Sequence, residues 1–199
     1  MKHSILYLLL LSFVFTSCQK LIDFEGQSPK DIAAANGFTK FTIKKGQQSS
    51  DLNYLTKTEY TELKFKAKFD NSAIYTSTIP ENQFDINKLY GFADNDAHHQ
   101  MYSARFGWNW NEGVLSLYAY TYNNGVRQNK LLGPVKIGEE VSCSIKVAGD
   151  TYIFTHNGIV NTMPRRTTTP KAIGYKLYPY FGGDEMAPHD IFVWIKEML

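Results

Sequence analysis

The chain has 199 residues, is 43% hydrophobic and 15% aromatic, and carries a net charge of only +2. So even a charge balance argues against a nucleic-acid-binding protein, and the aromatic content is far too high for an unstructured chain. The two cysteines, Cys18 and Cys143, exclude a disulfide-built scaffold.

The first stretch, MKHSILYLLLLSFVFTSCQK, has a basic start at Lys2, an apolar run from Ile5 to Phe15 and a small-residue site. The run is too short to span a bilayer as a stable helix and reads as a secretory signal. Phe15-Thr16-Ser17-Cys18 resembles the lipobox of bacterial lipoproteins, with Phe15 where leucine is usual. That resemblance implies a signal peptide over residues 1–17, lipidation of Cys18 and a lipid-anchored place in the cell envelope, at the outer membrane. Residues 18–37 then form the anchor and tether, with one helical turn over Ser28 to Ala35.

Residues 38–199 make one domain, in which nearly every signal is strand or turn. TKFTIKKG alternates apolar and polar. In YTELKFKAKFD, Leu63, Phe65, Ala67 and Phe69 face one way, and Lys64, Lys66 and Lys68 face the other. The lysine row is expected to be a solvated outer face that discourages edge-to-edge pairing. Residues 70–88 read as a loop around a short strand at 73–78, and KLYGFADNDAHHQ as a strand entering a polar loop. After the stretch 102–122, further short strands follow at VRQNKLL, VKIG, VSCSIKV, TYIFTH and IVNTM, separated by Gly- and Asn-containing turns. Cys143 alternates in phase with Val141, Ile145 and Val147, which predicts a buried, inert thiol. Ile191 to Ile195 is apolar on both faces and is expected to be central and covered. The spacing of turns predicts an all-β protein, an antiparallel sandwich or barrel.

The aromatic stretch 102–122 carries the functional expectation. Asn111-Glu112-Gly113 reads as a three-residue hairpin loop, which sets Trp110 opposite Val114, Trp108 opposite Ser116 and Phe106 opposite Tyr118. A second loop of the same length at Asn123-Asn124-Gly125 sets Tyr120 beside Gln128 and Tyr118 beside Lys130. One face then holds Trp108, Trp110, Tyr118, Tyr120 and Tyr122, with Gln128 and Lys130 at its border. The other holds Arg105, Asn109, Arg127 and Asn129. Rings of this kind pack against the apolar face of a sugar, while polar and charged groups meet its hydroxyls. If the rings instead fill the core, the Arg105 face is the groove. A one-residue slip would scramble the assignment.

ARFGWNW, LYAYTYNNG, YIFTHNG and LYPYFGGDEMAPHDI together resemble the concanavalin A-like lectin/glucanase superfamily, and within it uncharacterised bacterial lipoproteins of that fold. The resemblance implies a two-sheet antiparallel jelly roll with a concave face on which relatives bind or cleave polysaccharides. The glucanase pattern of paired carboxylates, roughly 5–5.5 Å apart on one strand, is absent. Alginate-type lyases of the fold use an Arg-rich strand, a Gln-x-His strand and a late Tyr-Lys strand. Arg105 and Tyr178 or Tyr180 imitate parts of that set, while His98-His99-Gln100 has the residue types in another order. The expected function is therefore binding of a polysaccharide or oligosaccharide through Arg105 and the rings without cleavage. The alternatives are a lyase or hydrolase centred on Arg105, His98 or His99, and Tyr120, and a structural or protein-binding lipoprotein. No cofactor motif is present, and Asp94-Asn95-Asp96 reads as a turn before it reads as a calcium loop. His98 and His99 are expected to point apart, a poor zinc pair. Asp184, Glu185, His189 and Asp190 are a weaker candidate for a structural cation.

Overall fold

The structure, a computed structural model, describes residues 37–167 and 169–198. The expected signal peptide, Cys18, the tether and its helical turn lie outside the described residues. Twelve strands follow one another: β1 (Thr39–Ile43), β2 (Lys57–Tyr60), β3 (Glu62–Phe69), β4 (Asn87–Ala93), β5 (Tyr102–Asn111), β6 (Val114–Asn123), β7 (Val126–Val135), β8 (Glu140–Ala148), β9 (Thr151–His156), β10 (Ile159–Pro164), β11 (Ala172–Leu177) and β12 (Ile191–Met198). They form two six-stranded sheets, ordered β1-β12-β3-β8-β9-β10 and β2-β11-β4-β5-β6-β7, with antiparallel pairing throughout. This is the all-β, two-sheet jelly-roll sandwich of the concanavalin A-like fold. Alternate residues of β3, β8, β9 and β12 supply one half of the core, including Phe65, Phe69, Ile145, Phe154 and Val193. Phe106, Trp108, Leu117 and Phe92 of the second sheet supply the other. Each such side chain contributes about 1.5–3 kcal/mol by leaving water.

VKIG is not a strand of its own, because β7 runs through Gly133-Pro134 to Val135 and residues 136–139 lie in the turn that follows. Four other sequence expectations need correction. The segment 73–78 is not a strand; 3-10 turns at Asn71–Ala73 and Pro80–Phe84 flank it, with Asp70 capping the first through the Ser72 amide. β3 with its lysine row lies inside its sheet, between β12 and β8, so it protects no edge. β12 is flanked by β1 and β3, but its outer residues Phe192 and Trp194 are half-buried, so its outward side is not fully covered.

The fourth correction concerns register. Glu112 and Gly113 both adopt positive φ, 50° and 78°, and form a two-residue hairpin turn in place of the expected three-residue loop. Two consecutive left-handed residues match the twist of the flanking strands. Asn111 therefore pairs with Val114, Trp110 with Leu115, Trp108 with Leu117 and Phe106 with Ala119. Asn124-Gly125, at 51° and 78°, closes the next hairpin in the same way, pairing Tyr120 with Asn129 and Tyr122 with Arg127. Every residue of β6 moves to the opposite face relative to β5. Trp108 and Trp110 turn inward with Leu115 and Leu117, while Tyr118, Tyr120 and Tyr122 share the outer face with Arg105 and Asn109.

Candidate functional site

The outer face of the second sheet carries a cleft built across β11, β4, β5, β6 and β7. Its central hollow, about 600 Å³, has Lys88, Arg105, Tyr120, Tyr122 and Arg127 on its floor and His99 and Tyr180 on its walls. A hollow of about 360 Å³ adjoins it on the β11 side, where the two share His99, Arg105 and Tyr180. Another of about 230 Å³ adjoins on the β7 side, sharing Lys88, Tyr120 and Arg127. Arg105 thus stands where the first two meet.

Local sequence explains how the floor is laid. Gly91 lies directly across from Arg105, and Gly107 across from Tyr118, so β4 and β5 have room for long side chains to lie flat. A Cβ on Gly91 would run into the Ala104 carbonyl oxygen and into Arg105 itself. Gly91→Ala is expected to cost roughly 1–3 kcal/mol of stability and to shift Arg105. Denaturant unfolding together with a ligand-affinity measurement checks this. The wall comes from the chain after β11, which folds back so that Tyr180 exchanges backbone hydrogen bonds with Lys88, at 2.8 and 3.0 Å. Asn87 fixes the following turn by accepting the Gly182 amide, and its own amide donates to the Tyr75 hydroxyl.

The other wall is the loop after β4. Asp94, fully buried, pairs with the buried Arg165, whose Nε donates to Asp94 Oδ2 at 2.8 Å. Arg165 also donates to the Gly149, Thr169 and Lys171 carbonyls, and the Tyr152 hydroxyl donates to Asp94 at 2.6 Å. Asn95 and Asp96 turn the chain with positive φ, and His98 and His99 follow. Contrary to expectation, the two imidazoles do not diverge; their ring centroids are 4.3 Å apart. His99 Nδ1 is 2.9 Å from the Tyr175 hydroxyl.

Electrostatics give the cleft its character. Arg105 is only 8% exposed, and its Nε has no hydrogen-bond partner. Burial lowers its pKa to about 10, opposed in part by the surrounding tyrosines. Lys88 is lowered to about 8, by burial first and then by Arg105. Its ammonium donates to the Gly182 carbonyl at 2.7 Å. Burial, followed by Arg105 and His98, holds His99 down to about 4, so its ring is neutral at physiological pH. Tyr120 is raised, mainly by burial, and lies 5.3 Å below the Arg105 guanidinium and 5.4 Å from Lys88. Among the described residues no carboxylate is within ion-pair distance of Lys88, Arg105 or Arg127. Asp85 and Asp184 act on Lys88 only at longer range. The cleft is therefore a preformed cationic trough, with the buried ring of Tyr120 beneath its cations and the half-buried Tyr118 and Tyr122 along it.

Of the residues expected to meet a ligand, Arg105, Tyr120 and Tyr122 line the central hollow, and Tyr118 lines the β7-side hollow. Trp108 is fully buried between the sheets, packed on Phe69 at 5.2 Å, and Trp110 packs against the same core. Gln128 pairs with Thr121 and so belongs to the opposite face of the sheet from Tyr120. Lys88 is absent from the sequence expectations, although a lysine interrupting the apolar β4 is a usable signal. The weaker cation candidates are dispersed among other partners. Glu185 accepts from the Thr78 and Ile79 amides, Asp190 pairs with Lys44, and His189 bonds the Ser72 carbonyl. Among the described residues no group of three potential ligands is arranged to hold a metal.

No protein-family model matches the chain, and no curated protein matches it in sequence. Solved structures share its fold at low identity. Alginate lyase AlyC3 superposes with a TM-score of 0.52 at 10% identity, over 81% of this chain and 74% of that one. Alginate lyase A1-II′, a member of polysaccharide lyase family 7, gives 0.50 at 11% identity, over 81% and 78%. A functionally unknown protein from Saccharomyces cerevisiae also gives 0.50 at 11% identity, over 80% and 84%. These likenesses establish the sandwich; function rests on the residues of the cleft.

Proposed function

We propose that the chain binds an acidic polysaccharide, one rich in uronate carboxylates, along the outer face of the second sheet, and that it holds this ligand without cleaving it. The observation that carries the reading is Arg105, a buried guanidinium without a carboxylate partner at the junction of two adjoining hollows. A guanidinium recognises a carboxylate through paired N–H donors, and one already desolvated by its own fold has that cost behind it. Lys88 and Arg127 extend the positive charge along the trough, and the half-buried ring of Tyr122 offers area to a sugar ring. The alginate lyases that share the fold act on a polymer of this chemical class. We further propose that the mature protein begins at a lipid-modified Cys18 and sits in the cell envelope, at the outer membrane. Titration with an oligouronate tests the binding reading, and lack of binding there would remove it.

A second reading, elimination on the same polymer, is favoured by His99. A neutral imidazole beside Arg105 has the protonation state of a base, and the nearby phenols of Tyr120 and Tyr180 are proton donors. Release of products with an unsaturated uronate end, abolished by His99→Ala with affinity retained, would establish it in place of simple binding.

The lowered Lys88 pKa sets a pH dependence. Below about 8 the ammonium is charged and attracts the ligand; above it the charge is lost. Affinity for an oligouronate is expected to fall as pH rises past about 8. Lys88→Arg, charged across the whole range, abolishes the fall. Calorimetric titration at several pH values reads this out.

A further inference from the structure

We propose that the outward face of the first sheet, on the far side of the sandwich from the cleft, docks on an anionic lipid surface. Six lysines project from it, Lys40, Lys64, Lys66, Lys68, Lys146 and Lys196, against two carboxylates, Glu62 and Glu140. The register gathers them: Lys40, Trp194, Lys68 and Glu140 form one cross-strand row, and Lys196 and Lys66 lie together in the next. Lys64 and Lys66 pair with Glu62 and Glu140 at 3.2 and 2.9 Å. Among the described residues Lys40, Lys68 and Lys146 have no carboxylate within that range. The near-neutral total charge conceals this segregation.

Strand protection does not explain the lysines, because β3 and β8 are internal. Aromatic side chains share the face. Phe192 and Trp194 are half-buried under Lys40, whose ammonium lies 3.8 and 5.7 Å from the two ring centroids. An apolar ring beneath a flexible ammonium suits the headgroup boundary of a bilayer. The hollow on this face, about 330 Å³, lies among the stems of Lys64 and Lys66, Met198 and the hydroxyl-bearing Ser142, Ser144 and Thr155. Ammonium groups spread over four neighbouring strands match a planar array of phosphates better than a single polymer chain.

The entry of the chain points the same way. β1 is the edge strand of this sheet, and Gly37, where the segment bearing Cys18 joins the described chain, lies beside Lys196. Here the inference rests on the proposed lipid at Cys18: an anchor on that segment brings this face to the bilayer and turns the cleft outward.

Residues 18–199 carrying Cys18→Ser, and so without a lipid, are mixed with vesicles of phosphatidylglycerol and phosphatidylcholine or of phosphatidylcholine alone. Expected is sedimentation with the anionic vesicles only, weakened by salt, with quenching of Trp194 fluorescence by brominated lipid that Trp194→Phe removes. Lys64→Gln/Lys66→Gln/Lys68→Gln weakens the binding roughly 100-fold. Absence of binding to anionic vesicles overturns the proposal. So does binding that the lysine substitutions spare and Arg105→Ala removes, which would place the contact in the cleft. Acylation is read separately, by fatty-acid labelling of the intact chain and of its Cys18→Ser form. Failure there removes the anchor and leaves the vesicle result to stand or fall by itself.

Discussion

Arg105→Ala is expected to weaken oligouronate binding by ~2–4 kcal/mol, roughly 30- to 700-fold, while the sandwich stays folded. The size of the effect follows from burial. In the free protein the guanidinium is already stripped of most of its water and has gained no carboxylate in return. A ligand carboxylate arriving there meets donors that are fixed and dry, in surroundings where charge attraction is weakly screened. Arg105→Lys keeps the charge but loses the planar fork, so it recovers only part of the affinity. Affinity electrophoresis in gels cast with the acidic polymer checks both variants. An alanine variant that migrates as the parent does would mean that the buried arginine serves the fold alone.

The largest effect on stability is expected at the Asp94–Arg165 pair. Arg165→Met leaves the Asp94 carboxylate buried with only the Tyr152 hydroxyl and local backbone to hold it, and costs about 3–5 kcal/mol. The double substitution Asp94→Leu/Arg165→Met, which buries no unpaired charge, recovers a large part of that loss. The pair also fastens the loop that carries His98 and His99, so the single variant loses ligand affinity as well. Denaturant unfolding of the two singles and the double gives the coupling. A loss below about 1 kcal/mol in Arg165→Met would show that the loop between β10 and β11 holds without it.

For the aromatic face, sequence and structure part company at the turn between β5 and β6. Strands such as β3, β8 and β9 alternate over enough residues for the pattern to announce them, and the two-sheet sandwich follows from their number and spacing. Register is different, because Asn111-Glu112-Gly113 accommodates either a two- or a three-residue loop. That one-residue choice decides whether Trp108 faces solvent or Phe69. It also explains why Arg105 and Tyr120, assigned to opposite faces by the three-residue reading, sit together in the cleft. Lys88 and Tyr180 join them only because the chain beyond β11 returns to pair with β4. Asp94 and Arg165 are 71 residues apart. Contacts that close so late in the chain leave no local mark on residue spacing.

On the proposed reading, the cleft selects negative charge on a sugar polymer. Titration calorimetry with an oligouronate, and with the same oligomer after its carboxylates are reduced to alcohols, tests it most directly. Binding of the acidic form at a single class of site, with the reduced form at least tenfold weaker, is the predicted result. Equal binding of the two forms, or heat from neither, would contradict it.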